Sequence, residues 1–191
     1  MLKVENLNVA YGQSHIVHDV SFEVKPREIV AVMGRNGMGK STLLKSLIGM
    51  VPPKSGKVEV NGTDVTFLES YRHVENGIAF VPQGRHVFSN LTVEENIRAG
   101  LRIKEHWVQL RTEVYSIFDV LCKMRGRKAG NLSGGQQQQL AIARALVAEP
   151  RVLILDEPTE GIQPSIIKDL ARQINDLKLS KDLAIVVSEQ V

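Results

Sequence analysis

The segment GRNGMGKS, Gly34 to Ser41, constrains the fold more than any other part of this 191-residue chain, because it fits the pattern G-x-x-x-x-G-K-[ST]. It follows a continuous apolar run, Ile29 to Met33, and precedes apolar residues at helical spacing between residues 43 and 48. Glycines let consecutive backbone N–H groups turn inward around a phosphate, and the following helix adds its positive end. The sequence therefore predicts a strand, a phosphate-binding loop and a helix.

Within this loop we expect Lys40 to reach the β- and γ-phosphates of a nucleotide and Ser41 to ligate Mg²⁺. A glycine-rich turn without a ligand is the alternative interpretation. Kinases, GTPases and motors all use such a loop, so other motifs must decide what is done with the nucleotide. The expected contacts of the loop are Gly34, Arg35, Asn36, Gly37, Met38, Gly39, Lys40, Ser41 and Thr42.

Hydrophobic patterning predicts an α/β architecture around the loop. The first third reads as strands, and Asn61-Gly62 between two β-rich arms indicates a hairpin. Later, short apolar runs such as Val152 to Leu155 alternate with helical segments, which is typical of a covered, largely parallel sheet. The strand segments are Leu2 to Val9, Ile16 to Val24, Ile29 to Met33, Ile78 to Val81, Val152 to Leu155 and a last strand from Ala184.

The region from about 86 to 131 lacks strand patterns. Thr92 and Glu95 form a capping box, and apolar residues follow at spacings of 4, 3 and 4 between Leu110 and Leu121. We expect a P-loop NTPase fold with a mainly parallel sheet, an N-terminal antiparallel β-region and an inserted helical subdomain. Residues 1–191 would form one domain, with its core at about 1–85 and 132–191.

Composition excludes several classes. The chain is 43% hydrophobic, enough for a sizeable core, yet no stretch reaches the roughly 18 apolar residues of a membrane helix. Its charged start does not resemble a secretory signal, so we expect a soluble, cytoplasmic chain. Cys122 is the single cysteine, which fits a reducing compartment. The net charge of +3 includes no basic block, so nucleic-acid binding is not expected.

Two carboxylates, Asp156 and Glu157, end the apolar strand RVLILDEPT. Because ligands bind at the carboxyl ends of parallel strands, both should face the same site as Lys40. We expect Asp156 to hold the metal and Glu157 to orient and deprotonate an attacking water, which favours hydrolysis over transfer to a bound hydroxyl. A solvated turn is the alternative interpretation of Asp-Glu-Pro.

The segment NLSGGQQQQLAIARAL predicts a second anion site. Its residues Ser133, Gly134, Gly135 and Gln136 lie just before a helix, where backbone amides and the Ser133 hydroxyl can bind an anion. A second phosphate site in one chain is redundant unless it serves the nucleotide of another chain. A Ser-Gly-Gly N-cap with a solvated glutamine face is the alternative.

Taken in order, the phosphate loop, a helical insert, LSGGQ and the strand-ending Asp-Glu resemble the ATP-binding subunit of an ABC transporter over essentially the whole chain. By this resemblance Tyr11 is similar to the aromatic residue that stacks on adenine, against an alternative of simple packing. Gln83, in FVPQGRHVF, resembles the glutamine that senses Mg²⁺ and couples to the membrane subunits. ATP and Mg²⁺ are the implied ligands.

The resemblance also implies a composite site. Two subunits would stack head to tail, with each ATP between Lys40 and Ser41 of one and residues 133–136 of the other. Glu157 would be the general base. The implied partners are a second, different ATPase subunit, two membrane-spanning permease subunits and an extracytoplasmic substrate-binding protein. The chain would then lie peripherally on the cytoplasmic face of the inner membrane.

The last strand, in VVSEQV, departs from the family, which usually places there a histidine that contacts the γ-phosphate. By position that residue is Glu189, with Gln190 as the alternative contact. Gln163 stands where the family often has the aspartate of its dimer-contact loop. Family members usually continue with another helix and strand, so the chain is expected to be shortened. These departures leave a non-hydrolysing site as one interpretation and a subfamily trait as the other.

The segments VPQGRHVF, LTVEENI and EGI resemble ATPases of branched-chain amino acid and urea importers, and DEPTEGIQPSII is most similar to the urea-uptake subunit. We therefore expect ATP-driven import of urea or a short amide, with branched-chain amino acids as the alternative. Three other classes stay open: a soluble ABC protein of DNA repair or translation, a non-hydrolysing regulatory subunit, and a P-loop kinase. The short insert argues against a protein of DNA repair or translation, and the LSGGQ segment argues against a kinase.

Overall fold

Eight strands and seven helices lie within residues 1–190, the part of the chain that this computed structural model describes. The strands are β1 (Leu2–Tyr11), β2 (Ser14–Val24), β3 (Ile29–Met33), β4 (Ser55–Val60), β5 (Thr63–Asp64), β6 (Ile78–Val81), β7 (Val152–Asp156) and β8 (Ala184–Glu189). The helices are α1 (Lys40–Leu47), α2 (Ser70–Glu75), α3 (Val93–Arg98), α4 (Trp107–Ile117), α5 (Asp119–Lys123), α6 (Gly134–Leu146) and α7 (Pro164–Ser180). The strands predicted from the sequence are all present.

A four-stranded parallel sheet, in the order β3-β8-β7-β6, forms the centre of the fold. Strand β8 is central: Met33 of β3 pairs with Glu189, and Asp156 of β7 pairs with Ser188. The carboxyl ends of β3, β7 and β8 therefore meet at one edge of the sheet. This edge carries the loop at 34–39 and the residues that follow β7 and β8.

Both faces of the parallel sheet are covered by apolar clusters. On β7, Val152 and Ile154 face a cluster formed with α1 and the N-terminal strands, whereas Leu153 and Leu155 face one formed with α6, α7 and the helical region. A strand buried on both faces reads as a continuous apolar run, as this one does. The prediction of a covered parallel sheet is confirmed.

The second sheet is antiparallel, in the order β2-β1-β4-β5. Between β4 and β5, Val60 pairs with Thr63, so Asn61 and Gly62 form a two-residue turn, with φ of 50° and 81°. Positive φ at both positions belongs to the hairpin turn that Asn-Gly favours. The predicted hairpin is confirmed, as is the N-terminal antiparallel region.

Residues 86–131, here called the helical insert, contain α3, α4, α5 and two 3-10 turns. Backbone hydrogen bonds join segments near its two ends. The Val93 amide donates to the Arg127 carbonyl, and the Ala129 amide donates to the Leu91 carbonyl, both at 2.9 Å. Thr92 caps α3 with the predicted capping box. The insert shares one apolar cluster with the parallel sheet, so its division from the core as a subdomain stays a prediction.

None of the helices in residues 1–190 combines the length and apolar character needed to cross a membrane.

Candidate functional site

The predicted phosphate loop lies at the carboxyl edge of the parallel sheet, between β3 and α1. Gly39, directly before α1, has φ of 88°, and a Cβ built there would lie 2.8 Å from Cγ2 of Ile16. Only glycine combines this backbone conformation with so close an approach. At the other end of the loop, the Gly34 amide donates to the Glu189 carbonyl at 3.3 Å, which attaches the loop to β8.

The Lys40 side chain is folded over the loop. Its Nζ donates to the carbonyls of Gly34 at 2.8 Å and Arg35 at 3.2 Å, and lies 3.2 Å from Oε1 of Glu157. Both side chains of this ion pair are 6% exposed. The predicted cation of the phosphate loop and the predicted general base are thus in contact. A buried charge needs such a partner, because burial without one is strongly unfavourable.

Two of the three residues predicted to hold Mg²⁺, Ser41 and Asp156, are in contact, whereas the third, Gln83, donates to Glu157 and Glu160. Ser41 Oγ donates to Oδ1 of Asp156 at 3.1 Å, and Ser188 Oγ donates to the same oxygen at 2.7 Å. Hydroxyl and carboxylate oxygens suit Mg²⁺, which is usually held by one or two carboxylates together with water and substrate phosphates. Residues 1–190 contain no cluster of His, Cys, Asp and Glu able to hold a metal without such help. The donor set fits a metal that arrives with a nucleotide.

Glu157 is oriented by neighbours from three segments. Its Oε2 accepts from Nε2 of Gln83 at 3.3 Å and from Nε2 of Gln190 at 2.8 Å. Its backbone has φ of 45°, and its amide donates to the carbonyl and hydroxyl oxygens of Ser188. A non-glycine residue at positive φ is strained, and such strain persists only where the surroundings hold it.

Nine residues line one cavity of about 400 Å³ beside the loop: Ile16, Asn36, Gly37, Gly39, Lys40, Ser41, Thr42, Gln83 and Glu157. The structure thus brings together most of the predicted loop contacts, the predicted general base and Gln83. Tyr11 does not line this cavity. It lies half exposed at the end of β1, and its proposed contact with adenine stays a prediction.

The LSGGQ segment forms the N-terminus of α6. The Gln136 amide donates to the Ser133 hydroxyl at 3.4 Å, and the Ser133 amide donates to Oε1 of Gln136 at 2.9 Å. Ser133 and Gln136 line a different cavity, also about 400 Å³, which shares no lining residue with the one at Lys40. The N-cap that was the alternative interpretation of LSGGQ is therefore present. The two predicted phosphate sites are separate within one chain.

At the end of β8, Glu189 and Gln190 point to different partners. The Glu189 carboxylate accepts from Thr159, whereas Gln190 donates to Glu157. The sequence placed Glu189 at the position of the usual histidine. Gln190, the alternative, is the one of the two whose side chain contacts Glu157, the predicted general base, and a contact of either residue with a γ-phosphate stays a prediction.

Four residues near the site escaped the sequence analysis. Ile16 lines the cavity, Ser188 contacts Asp156, and Thr159 contacts Glu189. The Arg85 guanidinium donates to the Glu160 carbonyl at 2.8 Å. A serine that ends an apolar strand was a usable signal for Ser188, but the others depend on how distant segments pack.

The fold, the loop at residues 34–41 and the LSGGQ segment define the class of protein: a P-loop ATPase in the form of an ATP-binding cassette. A family model described as ABC transporter matches residues 17–160. The chain belongs to the ABC transporter family and is an ATP-hydrolysing cassette of it.

Two relatives are similar over most of their length. The probable branched-chain amino acid transport ATP-binding protein LivF of Archaeoglobus fulgidus is 42% identical over 192 residues, which cover 100% of this chain and 81% of the relative. The high-affinity branched-chain amino acid transport ATP-binding protein BraG of Pseudomonas aeruginosa is 42% identical over 180 residues, covering 93% and 77%.

Solved structures agree on the fold. A nucleotide-free ATP-binding cassette from an ABC transporter superimposes with a TM-score of 0.90 at 27% identity, covering 99% of this chain and 81% of that one. A dimeric cassette in a post-hydrolysis state, bound to ADP and Pi, gives 0.83 at 26% identity, covering 98% and 87%. The predicted fold class is confirmed.

Proposed function

We propose that this chain is the ATP-hydrolysing subunit of an importer of branched-chain amino acids. The observation that carries the proposal is its similarity, at 42% identity in both cases, to two proteins named as branched-chain amino acid transport ATP-binding proteins. The sequence analysis favoured urea, and these relatives support its alternative better. Urea stays the second candidate because of the segment DEPTEGIQPSII alone.

In the proposed mechanism the loop receives the phosphates of ATP and Lys40 moves from Glu157 to a phosphate oxygen. Ser41 and Asp156 would hold Mg²⁺, which neutralises phosphate charge when bound. Glu157 accepts a proton from the attacking water as the water oxygen bonds to the γ-phosphorus and the bond to the β–γ bridging oxygen breaks. ADP and inorganic phosphate are the products.

Separate half-sites support a head-to-tail dimer. The α6 N-terminus of one subunit would close over the nucleotide bound at Lys40 of the other. A similar structure is a dimeric cassette bound to ADP and Pi, which supports a dimer. We propose that the partner is a second, different ATPase subunit, and that two permease subunits and an extracytoplasmic binding protein complete the importer, with this chain peripheral on the cytoplasmic face of the membrane.

A groove beside the Gln83 segment suits the permease. Phe88 is half exposed there, and the Arg144 guanidinium lies 4.9 Å from its ring and donates to the His86 carbonyl at 2.8 Å. Burial lowers the pKa of Arg144. The groove has a volume of about 270 Å³ and includes Gly100 and Ala145, so a permease segment could contact both the insert and the core.

The test is uptake of labelled leucine and labelled urea by cells that lack this gene. They would be complemented with the intact gene, with a Lys40→Ala form or with a Lys178→Ala form, which changes a partly exposed lysine of α7 as a control. Loss of leucine uptake, restored by the intact and Lys178→Ala genes but not by Lys40→Ala, is the expected result. Loss of urea uptake alone would establish the second candidate, and unchanged uptake of both would overturn the cargo class.

A further inference from the structure

Three consecutive residues at the end of β8 hold residues 156–159, a segment made of the last residue of β7 and the turn that follows it. Parallel pairing of Asp156 with Ser188 sets the register that places them side by side. Each side chain of the triplet then contacts a different part of that segment. The contacts pair Ser188 with Asp156, Glu189 with Thr159, and Gln190 with Glu157.

The Glu189 contact is the most extensive of the three. The Thr159 hydroxyl lies 2.8 Å and 2.9 Å from the two carboxylate oxygens of Glu189, and the Thr159 amide donates to one of them at 3.3 Å. Hydrogen bonds to an ionised acceptor are roughly twice as strong as neutral ones. Thr159 is thereby attached to β8 through both its backbone and its side chain.

Thr159 lies two residues after Glu157, with Pro158 between them. Proline restricts the backbone at 158, and the strained backbone of Glu157 is held at its amide by Ser188. With Thr159 fixed as well, the short turn from 157 to 159 has an anchor at each end. The direction of the Glu157 side chain depends on this turn.

Lys40 cannot supply that orientation throughout the reaction. In the proposed mechanism, Lys40 leaves Glu157 for a phosphate, so the remaining contacts must keep the carboxylate directed. We propose that Glu189 is a positioning residue for ATP hydrolysis, which holds the turn that carries Glu157 through Thr159 and does not itself contact the nucleotide. This inference rests on the proposed role of Glu157 as general base.

The experiment measures kcat and KM for ATP in the assembled transporter, together with equilibrium ATP binding. Glu189→Ala and Thr159→Val each remove one side of the contact and should lower kcat about tenfold, since small misplacements of catalytic groups cost this much or more. KM and the Kd for ATP should change by less than about twofold. Glu189→Gln and Thr159→Ser keep the hydrogen bond and should restore most of the activity.

Combining Glu189→Ala with Thr159→Val should lower kcat no further than the worse single change, because both remove the same contact. Glu5→Ala, which removes an exposed carboxylate on β1, is the control and should leave kcat unchanged. Should Glu189→Ala fail to fold, the pair Thr159→Val and Thr159→Ser carries the test.

A weaker Kd for ATP in Glu189→Ala, with Thr159→Val fully active, would overturn the proposal and place Glu189 on the nucleotide. Full activity of Thr159→Val would overturn it as well. Glu157→Gln separates this failure from that of the mechanism. If Glu157→Gln hydrolyses ATP normally, the general base is wrong; if it is inactive while Thr159→Val is normal, only the positioning role is wrong.

Discussion

At the scale of residues, the chemistry depends on a few buried polar groups that neutralise one another. Asp156 and Glu157 are 2% and 7% exposed. The Asp156 carboxylate accepts a hydrogen bond from a hydroxyl group, and the Glu157 carboxylate contacts the Lys40 ammonium group and a side-chain amide. Removing one partner of such a group leaves the other buried and unsatisfied, which costs more than the contact contributes. The contact between Lys40 and Glu157 therefore stabilises this arrangement, and the proposed mechanism requires that the contact break.

His73 on α2 predicts a dependence of stability on pH. It is fully buried, and its Nδ1 donates to the Leu47 carbonyl at 2.9 Å, since a carbonyl can only accept. Burial lowers the pKa of His73 below its usual 6.5, although neighbouring backbone carbonyls oppose the effect. Below about pH 6.5 the unfolded chain binds a proton that the folded chain takes up only at lower pH. The free energy of unfolding should therefore fall from pH 7 toward pH 5.

The measurement is urea unfolding at several pH values for the natural chain and for His73→Asn. Asparagine can donate to the Leu47 carbonyl but does not titrate. Whatever its stability at pH 7, the variant should therefore show a smaller slope of the free energy of unfolding against pH between pH 7 and pH 5. An identical slope in both chains would show that His73 is not responsible.

Sequence patterns predicted the residues whose roles come from local chemistry. Lys40, Ser41, Asp156 and Glu157 were identified from a loop pattern and from a strand that ends in acids, and the structure brings them into contact. The pairing of Glu189 with Thr159 could not be predicted, because it depends on the register of β8 against β7. A shift of one residue would turn each side chain to the other face.

At the scale of elements, the contact of α3 with α6 is close enough to be tested by a single methyl group. Gly100 follows α3, and a Cβ built there would lie 2.0 Å from the Arg144 carbonyl oxygen. Gly100→Ala should thus lower the free energy of unfolding by about 1–3 kcal/mol, as overpacking does. Denaturant unfolding measures the change.

Gly126→Ala is the matched control. Gly126 lies in the same insert, at negative φ, and nothing lies within 4 Å of a Cβ built there. This variant should be as stable as the natural chain or slightly more so. If both variants lower the free energy of unfolding equally, the close α3–α6 contact adds no penalty of its own.

Sequence patterns predicted most of the elements, but not helix α2 and not the boundaries or neighbours of the elements. The helix expected from about Gln137 begins at Gly134, because Ser133 caps it from the preceding turn. The position of β8 between β3 and β7 could not be predicted from the sequence, since an apolar run does not indicate which strands it pairs with. Local periodicity predicts strands and helices, but strand order depends on the packing of the whole chain.

For the whole molecule, separate half-sites predict that isolated copies of this chain associate when ATP is bound, with one copy taking the place of the different ATPase subunit proposed for the importer. In a Glu157→Gln background, where ATP should persist, Ser133→Asp would place a negative charge where the proposed composite site holds the phosphate of a nucleotide bound to the partner. Ser133→Asn is the matched control, since both residues are good N-caps and only one is charged. Light scattering with ATP should find a dimer for the Asn form and a monomer for the Asp form.

Equal dimerisation of the Asp and Asn forms would contradict a composite site at Ser133. If both forms and the Glu157→Gln parent stay monomeric with ATP bound, self-association is wrong and a different ATPase subunit must complete the site.

The hydrogen bonds that join the two ends of the helical insert affect how the sequence of such a protein can change in evolution. Since residues 91–93 and 127–129 lie side by side, the chain enters and leaves the helical insert at nearly the same place. A segment with adjacent ends can be lengthened, shortened or exchanged with little effect on the strands that it interrupts. Selection can therefore change the exposed faces of helices α3–α5 while the loop at 34–41 and the acids at the end of β7 are inherited intact.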